Sequence, residues 1–241
     1  MDGGRTGSTG RSVLAIGAHP DDIELGCGGA LLAHVAAGDT VTVLVVTGGE
    51  NGPGDDLRTA GRRAEQERAA GLLGARLVWG GLHDCEVAAD STTVRRIEQV
   101  LQSTGADLVY VHAPDDSHQD HRAVAGATLA AARRLPRVLH YQSPSTLTFT
   151  PTVYVDVTAY LTGKLAALAA HASQVEMSAM VEPDAVVASA RHWGAHARIG
   201  YAEAFQPTRM VLDLAPAPAP AAPEAVPAAW SLTPSTGARI G

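Results

Sequence analysis

The chain has 241 residues, 46% of them hydrophobic, enough for one well-cored domain with at most a small appendage. Its formal net charge is −7 and its 18 Lys and Arg residues are scattered, which argues against a nucleic-acid footprint and against attraction to an anionic membrane. Cys27 and Cys85 are its two cysteines, which excludes a disulfide framework or a Cys-x-x-Cys zinc site and fits a reducing cytoplasm.

Residues 1–11 are rich in Gly, Ser and Thr, lack the apolar stretch of a signal peptide, and read as a flexible N-terminus. No run reaches the about 18 apolar residues of a membrane span, so a cytoplasmic location is expected. Ser12 to Gly17 reads as a buried strand, broken at His19-Pro20, and Gly28 to Ala37 suits a helix. Thr40 to Thr47 is β-branched and reads as a second strand. The glycines from Gly48 to Gly54 mark a loop, and it lacks the Lys-Ser/Thr of a phosphate loop. Leu57 to Leu73 is helical and stops at Gly74; Arg76 to Trp79 is a strand and Thr93 to Gln102 a helix. Asp107 to Val111, Gln119 to Arg134 and Val138 to Tyr141 read as strand, helix and strand. Beyond Tyr141 the pattern is less regular, with a strand at Val153 to Val157 and helices at Ala159 to Ala172 and Asp184 to Ala197. Alternating helices and continuous apolar strands predict an α/β, three-layer Rossmann-like fold with a mostly parallel sheet. The domain is expected over 12–214, with an Ala/Pro-rich tail over 215–241.

Two clusters fall where such a sheet puts its chemistry, at strand carboxyl ends. Gly17-Ala18-His19-Pro20-Asp21-Asp22 follows the first strand. His19 and Asp22 flank a proline-fixed turn and can converge on one metal ion. Asp21, pointing elsewhere, is left to act on a water. The bland alternative is a helix cap with an incidental histidine. The second cluster, Asp115-Asp116-Ser117-His118-Gln119-Asp120-His121, follows the fourth strand. His118 and His121 are three apart at a helix start, so one can ligate metal while the other reaches substrate. Asp120 can hold an imidazole tautomer. Together His19, Asp22 and His121 form a two-histidine, one-carboxylate set that leaves a position open for water, as in catalytic zinc sites. Asp21 would be the general base, protonated His118 would stabilise the oxyanion, and an amide carbonyl would be attacked.

The same residues resemble the LmbE-like, or PIG-L, family of zinc-dependent de-N-acetylases: AHPDD early, HxDH downstream. The resemblance extends over roughly 12–213, with support from Arg62 to Gly74, Gly81 to Asp84 and Tyr201 to Phe205. It implies His19, Asp22 and His121 as zinc ligands, Asp21 as base, His118 and Asp120 in the catalytic apparatus, and Arg62 and Asp84 as sugar-contacting residues. It also implies a GlcNAc-type amino-sugar substrate. Zn2+ is the implied metal, with Fe2+ or another divalent ion also open to this donor set. One departure concerns substrate: the mycothiol-type enzyme has a serine four residues after its Asp-Asp pair, where this chain has Gly26. That favours a soluble, aminoglycoside-like intermediate over a GlcNAc-inositol or GlcNAc-malate precursor. Outside this class stand a non-haem Fe(II) oxygenase, which calls for a β-rich barrel, and a non-catalytic sugar-binding protein, which has no use for Asp21. Cys27 and Cys85 read as small packing residues, His34 and His140 as structural, and His171, His192 and His196 as solvated.

Overall fold

The computed structural model describes residues 10–51, 56–175 and 182–212. Two compact units are distinguished, Met1–Met210 and Val211–Gly241, and the first holds every element named below. The expected tail lies outside the described residues, as does the N-terminal segment except Gly10 and Arg11.

The strands are β1 (Ser12–Gly17), β2 (Thr40–Thr47), β3 (Arg76–Leu82), β4 (Leu108–His112), β5 (Arg137–Tyr141), β6 (Val153–Asp156) and β7 (Ala202–Met210). The helices are α1 (Asp22–Ala36), α2 (Asp56–Leu73), α3 (Ser91–Thr104), α4 (Gln119–Ala131), α5 (Leu161–Ala169), α6 (Ala172–Val175) and α7 (Pro183–Ala197). The sheet runs β3-β2-β1-β4-β5-β7-β6. Its first five strands are parallel; β7 runs antiparallel to both β5 and β6. The order reverses between β1 and β4, which opens a crevice at their carboxyl ends.

Alternation along the strands feeds two cores. Val13, Ala15, Val43 and Tyr110 pack with Ile23 and Leu31 of α1 and Leu73 of α2. Leu14, Ile16, Leu44 and Val109 pack with Ile97 of α3 and Val124 of α4. Both faces are covered, which is why the central strands read as unbroken apolar runs.

Three elements depart from the sequence reading. Helix α1 starts at Asp22, six residues before the expected Gly28, and is broken at Cys27 (φ −146°). Glu203 explains the break: its carboxylate accepts from the Gly29 and Ala30 amides at 2.9 and 2.7 Å, capping the second segment from a distant strand. Strand β7 has no counterpart in the sequence pattern; it carries Pro207 and three alanine or glutamine positions of weak strand preference, and its pairing with β5 shifts register there. The helix expected over 159–172 is two helices, α5 and α6.

Candidate metal centre

The turn after β1 carries the first cluster. The His19 amide donates to Asp22 Oδ2 at 2.7 Å, closing the turn. Asp21 occupies the N-cap of α1 in the left-handed region (φ 93°), and its side chain makes no capping bond. Asp21 and Asp22 therefore diverge. Asp22 is buried between histidines, and Asp21 is half-buried beside α2.

Both carboxylate oxygens of Asp22 face imidazoles. His19 Nδ1 lies 3.4 Å from Oδ2, and His121 Nε2 lies 3.4 Å from Oδ1. The other nitrogen of each ring faces a buried carboxylate. His19 Nε2 lies 3.0 Å from Asp84 Oδ1 and 3.2 Å from Asp120 Oδ2. His121 Nδ1 lies 3.1 Å from Asp116 Oδ2, which also accepts from the Ser143 hydroxyl at 2.5 Å. A ring whose N–H is fixed on a carboxylate presents its other nitrogen as a lone pair, the arrangement of metal-ligating histidines.

Ligand atoms of three overlapping trios lie within 4.8 Å of one another: His19/His118/His121, Asp22/His112/His121 and His19/Asp84/Asp120. The expected set of His19, Asp22 and His121 is not one of these trios, although each member belongs to at least one. His112 is the rival, with Nε2 3.2 Å from Asp22 Oδ2 and its ring stacked on His121 at 3.9 Å. That Nε2 already accepts the Ala18 amide at 3.1 Å, so its lone pair is spent. The Asp84/Asp120 trio uses the proton-bearing side of His19. Chemistry thus favours His19 Nδ1, Asp22 and His121 Nε2.

The local charge fits a divalent cation. Burial works against charge on His19, but Asp120, Asp22 and Asp84 overcome it and push the pKa up to about 12. Burial likewise opposes charge on His121, yet Asp22 and Asp116 raise it to about 9. Burial disfavours the Asp22 anion, but His121 and His112 hold its carboxyl well below the usual range. Asp22, Asp84, Asp116 and Asp120 crowd a few imidazoles that are neutral when ligating, an excess of negative charge suited to a divalent ion. Nitrogen and carboxylate donors suit zinc or ferrous iron.

Asp21 stands apart from this pairing. Burial, then the charge of Asp22, raises its carboxyl to about 7. Its amide donates to Gln66 Oε1 at 3.2 Å; Gln66 Nε2 donates to Glu24 Oε1 at 2.7 Å; His171 Nε2 lies 3.5 Å from Glu24 Oε2. His171, expected on a solvated face, is 1% exposed because α5 turns inward onto α1 and α2 before α6.

His118 caps α4, its Nδ1 accepting the Asp120 amide at 3.2 Å, and its ring lies 4.7 Å from that of His19. An accepting Nδ1 leaves the proton on Nε2. Burial, then the neighbouring His19 and His121, lower its pKa. Asp120 is fully buried and its Oδ2 also accepts the Cys85 amide at 2.7 Å. Asp84 accepts from the Asn51 amide at 3.0 Å. Arg62 is buried and donates to the Gly49 and Pro20 carbonyls at 2.7 and 3.4 Å, tying the glycine loop to the turn that carries Asp21. Asp116, Ser143 and Gln66 had no assigned role in the sequence reading. Asp116 lay within the second cluster and could have been found there; Ser143 and Gln66 arrive from other elements. Cys27 is buried as expected; Cys85, expected as a packing residue, is exposed on a loop at φ 65°, its thiol donating to Asp84 Oδ1 at 3.5 Å.

Residues 14–132 match the family described as PIG-L, GlcNAc-PI de-N-acetylase. The uncharacterized deacetylase YaiS of Escherichia coli K12 is 36% identical over 172 residues, covering 68% of this chain and 91% of that protein. The 1D-myo-inositol 2-acetamido-2-deoxy-alpha-D-glucopyranoside deacetylase of Nakamurella multipartita is 30% identical, covering 68% of this chain and 80% of its own. The crystal structure of the conserved protein TT1542 from Thermus thermophilus superposes with a TM-score of 0.77 at 27% identity, over 85% of this chain and 97% of that one. The chain belongs to the PIG-L, or LmbE-like, de-N-acetylase family. Relatives named as deacetylases support a hydrolytic N-deacetylase. Among the described residues, no helix is long and apolar enough to cross a membrane.

Proposed function

We propose that the chain hydrolyses the N-acetyl amide of a GlcNAc-type amino sugar, with a soluble, aminoglycoside-like secondary metabolite as the preferred substrate. The observation that carries the reading is a carboxylate held near neutrality, Asp21, beside a His/Asp/His set whose imidazoles are each backed by a buried carboxylate. His19, Asp22 and His121 would hold the metal. Zinc, or another divalent ion, would supply Lewis acidity there when bound.

The chain's own groups do the rest. Asp21 removes a proton from the attacking water and returns it to the leaving nitrogen, so that the C–N bond breaks to acetate and a free amine. His118 donates its Nε2–H to the developing oxyanion. Asp120 and Asp84 fix the ring of His19, as Asp116 and Ser143 fix that of His121. Arg62 braces the loops at the rim, and sugar contacts by Arg62 and Asp84 belong to the proposal.

The test is acetate release from GlcNAc-inositol, GlcNAc-malate and N-acetylated aminoglycoside precursors, with metal-free and zinc-restored protein side by side. Zinc-dependent acetate from one compound supports the reading and names its class. One relative, the 4-oxalmesaconate hydratase of Pseudomonas putida, is 26% identical over 154 residues. No acetate from the panel, with turnover of 4-oxalmesaconate instead, would overturn the deacetylase reading.

A further inference from the structure

Next to the metal centre lies a cavity of about 350 Å³ that none of the residues named in the proposed chemistry lines, Ser143 excepted. It opens at the carboxyl end of β5, one strand over from His121. Its border with the centre is Ser143, whose hydroxyl holds Asp116, and Gly26, one helical turn beyond Asp22. A volume at the lower end of small-molecule pockets fits a single ring rather than an extended chain.

The lining is specific in character. Val186, Ala190 and half-buried Trp193 of α7 form an apolar wall, and Trp193 is held edge-on by Phe149 at 5.9 Å. The opposite side carries a buried ion pair, Lys164 Nζ to Glu203 Oε1 at 2.6 Å, with side chains 5% and 4% exposed. Lys164 donates a second proton to the Leu25 carbonyl at 2.7 Å. An ammonium has three protons, so one remains for an occupant. Glu203 Oε2 accepts the Ala30 amide and keeps lone-pair capacity. Gln142 and Ser189 add neutral polar groups at the mouth.

A paired Lys and Glu cancel in net charge, so the cavity does not select an anion. It offers a donor, an acceptor and an indole face together. That combination suits an uncharged ring with hydroxyls on its edge and C–H groups on its face. We infer that this cavity is a subsite for a second, neutral sugar ring of the substrate, stacked on Trp193 and hydrogen-bonded by Lys164 and Glu203. The inference rests on the deacetylase reading for the ring at the metal centre. It narrows the substrate class to glycosides whose next ring is uncharged, which sets aside aminoglycoside precursors whose next ring carries free amines.

The test compares binding of N,N'-diacetylchitobiose and N-acetylglucosamine to the full chain by calorimetry, so the readout needs no turnover. The wild type is expected to prefer the disaccharide by tenfold or more. Trp193→Ala removes the platform, and Ser189→Trp, an exposed position at the mouth, obstructs the cavity; each is expected to bring the preference below threefold. Because the readout is a ratio within one protein, partial unfolding affects both sugars alike. A wild-type preference below threefold, or one untouched by both variants, overturns the subsite. Acetate release without the preference sinks the subsite and leaves the deacetylase reading standing. The preference without acetate from either sugar does the reverse.

Discussion

Gly26 offers a quantitative test of how the first cluster is held. A Cβ there would sit 2.2 Å from Cδ2 of Tyr141, where ordinary contact begins at 3.4 Å. The ring would have to withdraw by more than an ångström. It has nowhere to go: Tyr141 is 0% exposed, its hydroxyl donates to the Ile16 carbonyl at 2.8 Å, and its ring rests on His112 at 4.8 Å. Losing that hydrogen bond costs about 1 kcal/mol, and overpacking a tight core adds roughly 1–3 kcal/mol. Gly26→Ala should therefore destabilise the metal-free protein by roughly 2–4 kcal/mol. Urea unfolding at neutral pH reads this as a lower midpoint at unchanged slope. Because the clash is with one ring, Gly26→Ala combined with Tyr141→Leu should cost less than the two single changes added, by about 1 kcal/mol or more. A Gly26→Ala protein within about 0.5 kcal/mol of wild type, or strictly additive costs, would refute the reasoning. The same clash explains why a serine contact to substrate at this position has no room here.

Other outcomes follow from the same geometry. Asp116→Asn should weaken zinc binding by about 10–100-fold in chelator competition, because the His121 N–H loses its anionic partner. Lys164→Met should cost roughly 3–5 kcal/mol in urea unfolding by leaving Glu203 buried and unpaired, and adding Glu203→Gln should recover part of the loss. Asp21 must be deprotonated to act, so kcat/KM should rise with pH along an acidic limb whose midpoint lies at or below about 7, the bound cation pulling it down. Its stability effect has the opposite sign from an ordinary salt-bridged carboxylate. A folded-state pKa raised from 3.8 to about 7 means that the metal-free fold loses stability as pH rises across that window. Metal-free Asp21→Asn should lack this loss and melt higher than wild type above pH 7.

The reading of the sequence reached the parts of the site that are contiguous in the chain. His19, Asp21 and Asp22 follow one apolar strand, and His118, Asp120 and His121 follow another, and the pairing of β1 with β4 sets these two strand ends side by side. What it did not reach depends on contacts between distant segments. Ser143 meets Asp116 only because β5 lies beside β4. Glu203 caps a broken helix from a strand of weak propensity. His171 looked solvated because its burial is imposed by the packing of α5 against α1 and α2, not by periodicity. The lone pair of His112 is spent on the Ala18 amide, and only the structure places this ring against Asp22.

The most direct test of the division of labour between metal ligands and base is a pair of variants, Asp21→Asn and His121→Ala, each measured for bound zinc and for acetate release from the substrate that the panel identifies. The account predicts that His121→Ala loses zinc and turnover together. Asp21→Asn keeps zinc near wild-type stoichiometry and loses turnover. Equal zinc loss in both variants, or an Asp21→Asn protein that still releases acetate at the wild-type rate, would contradict it.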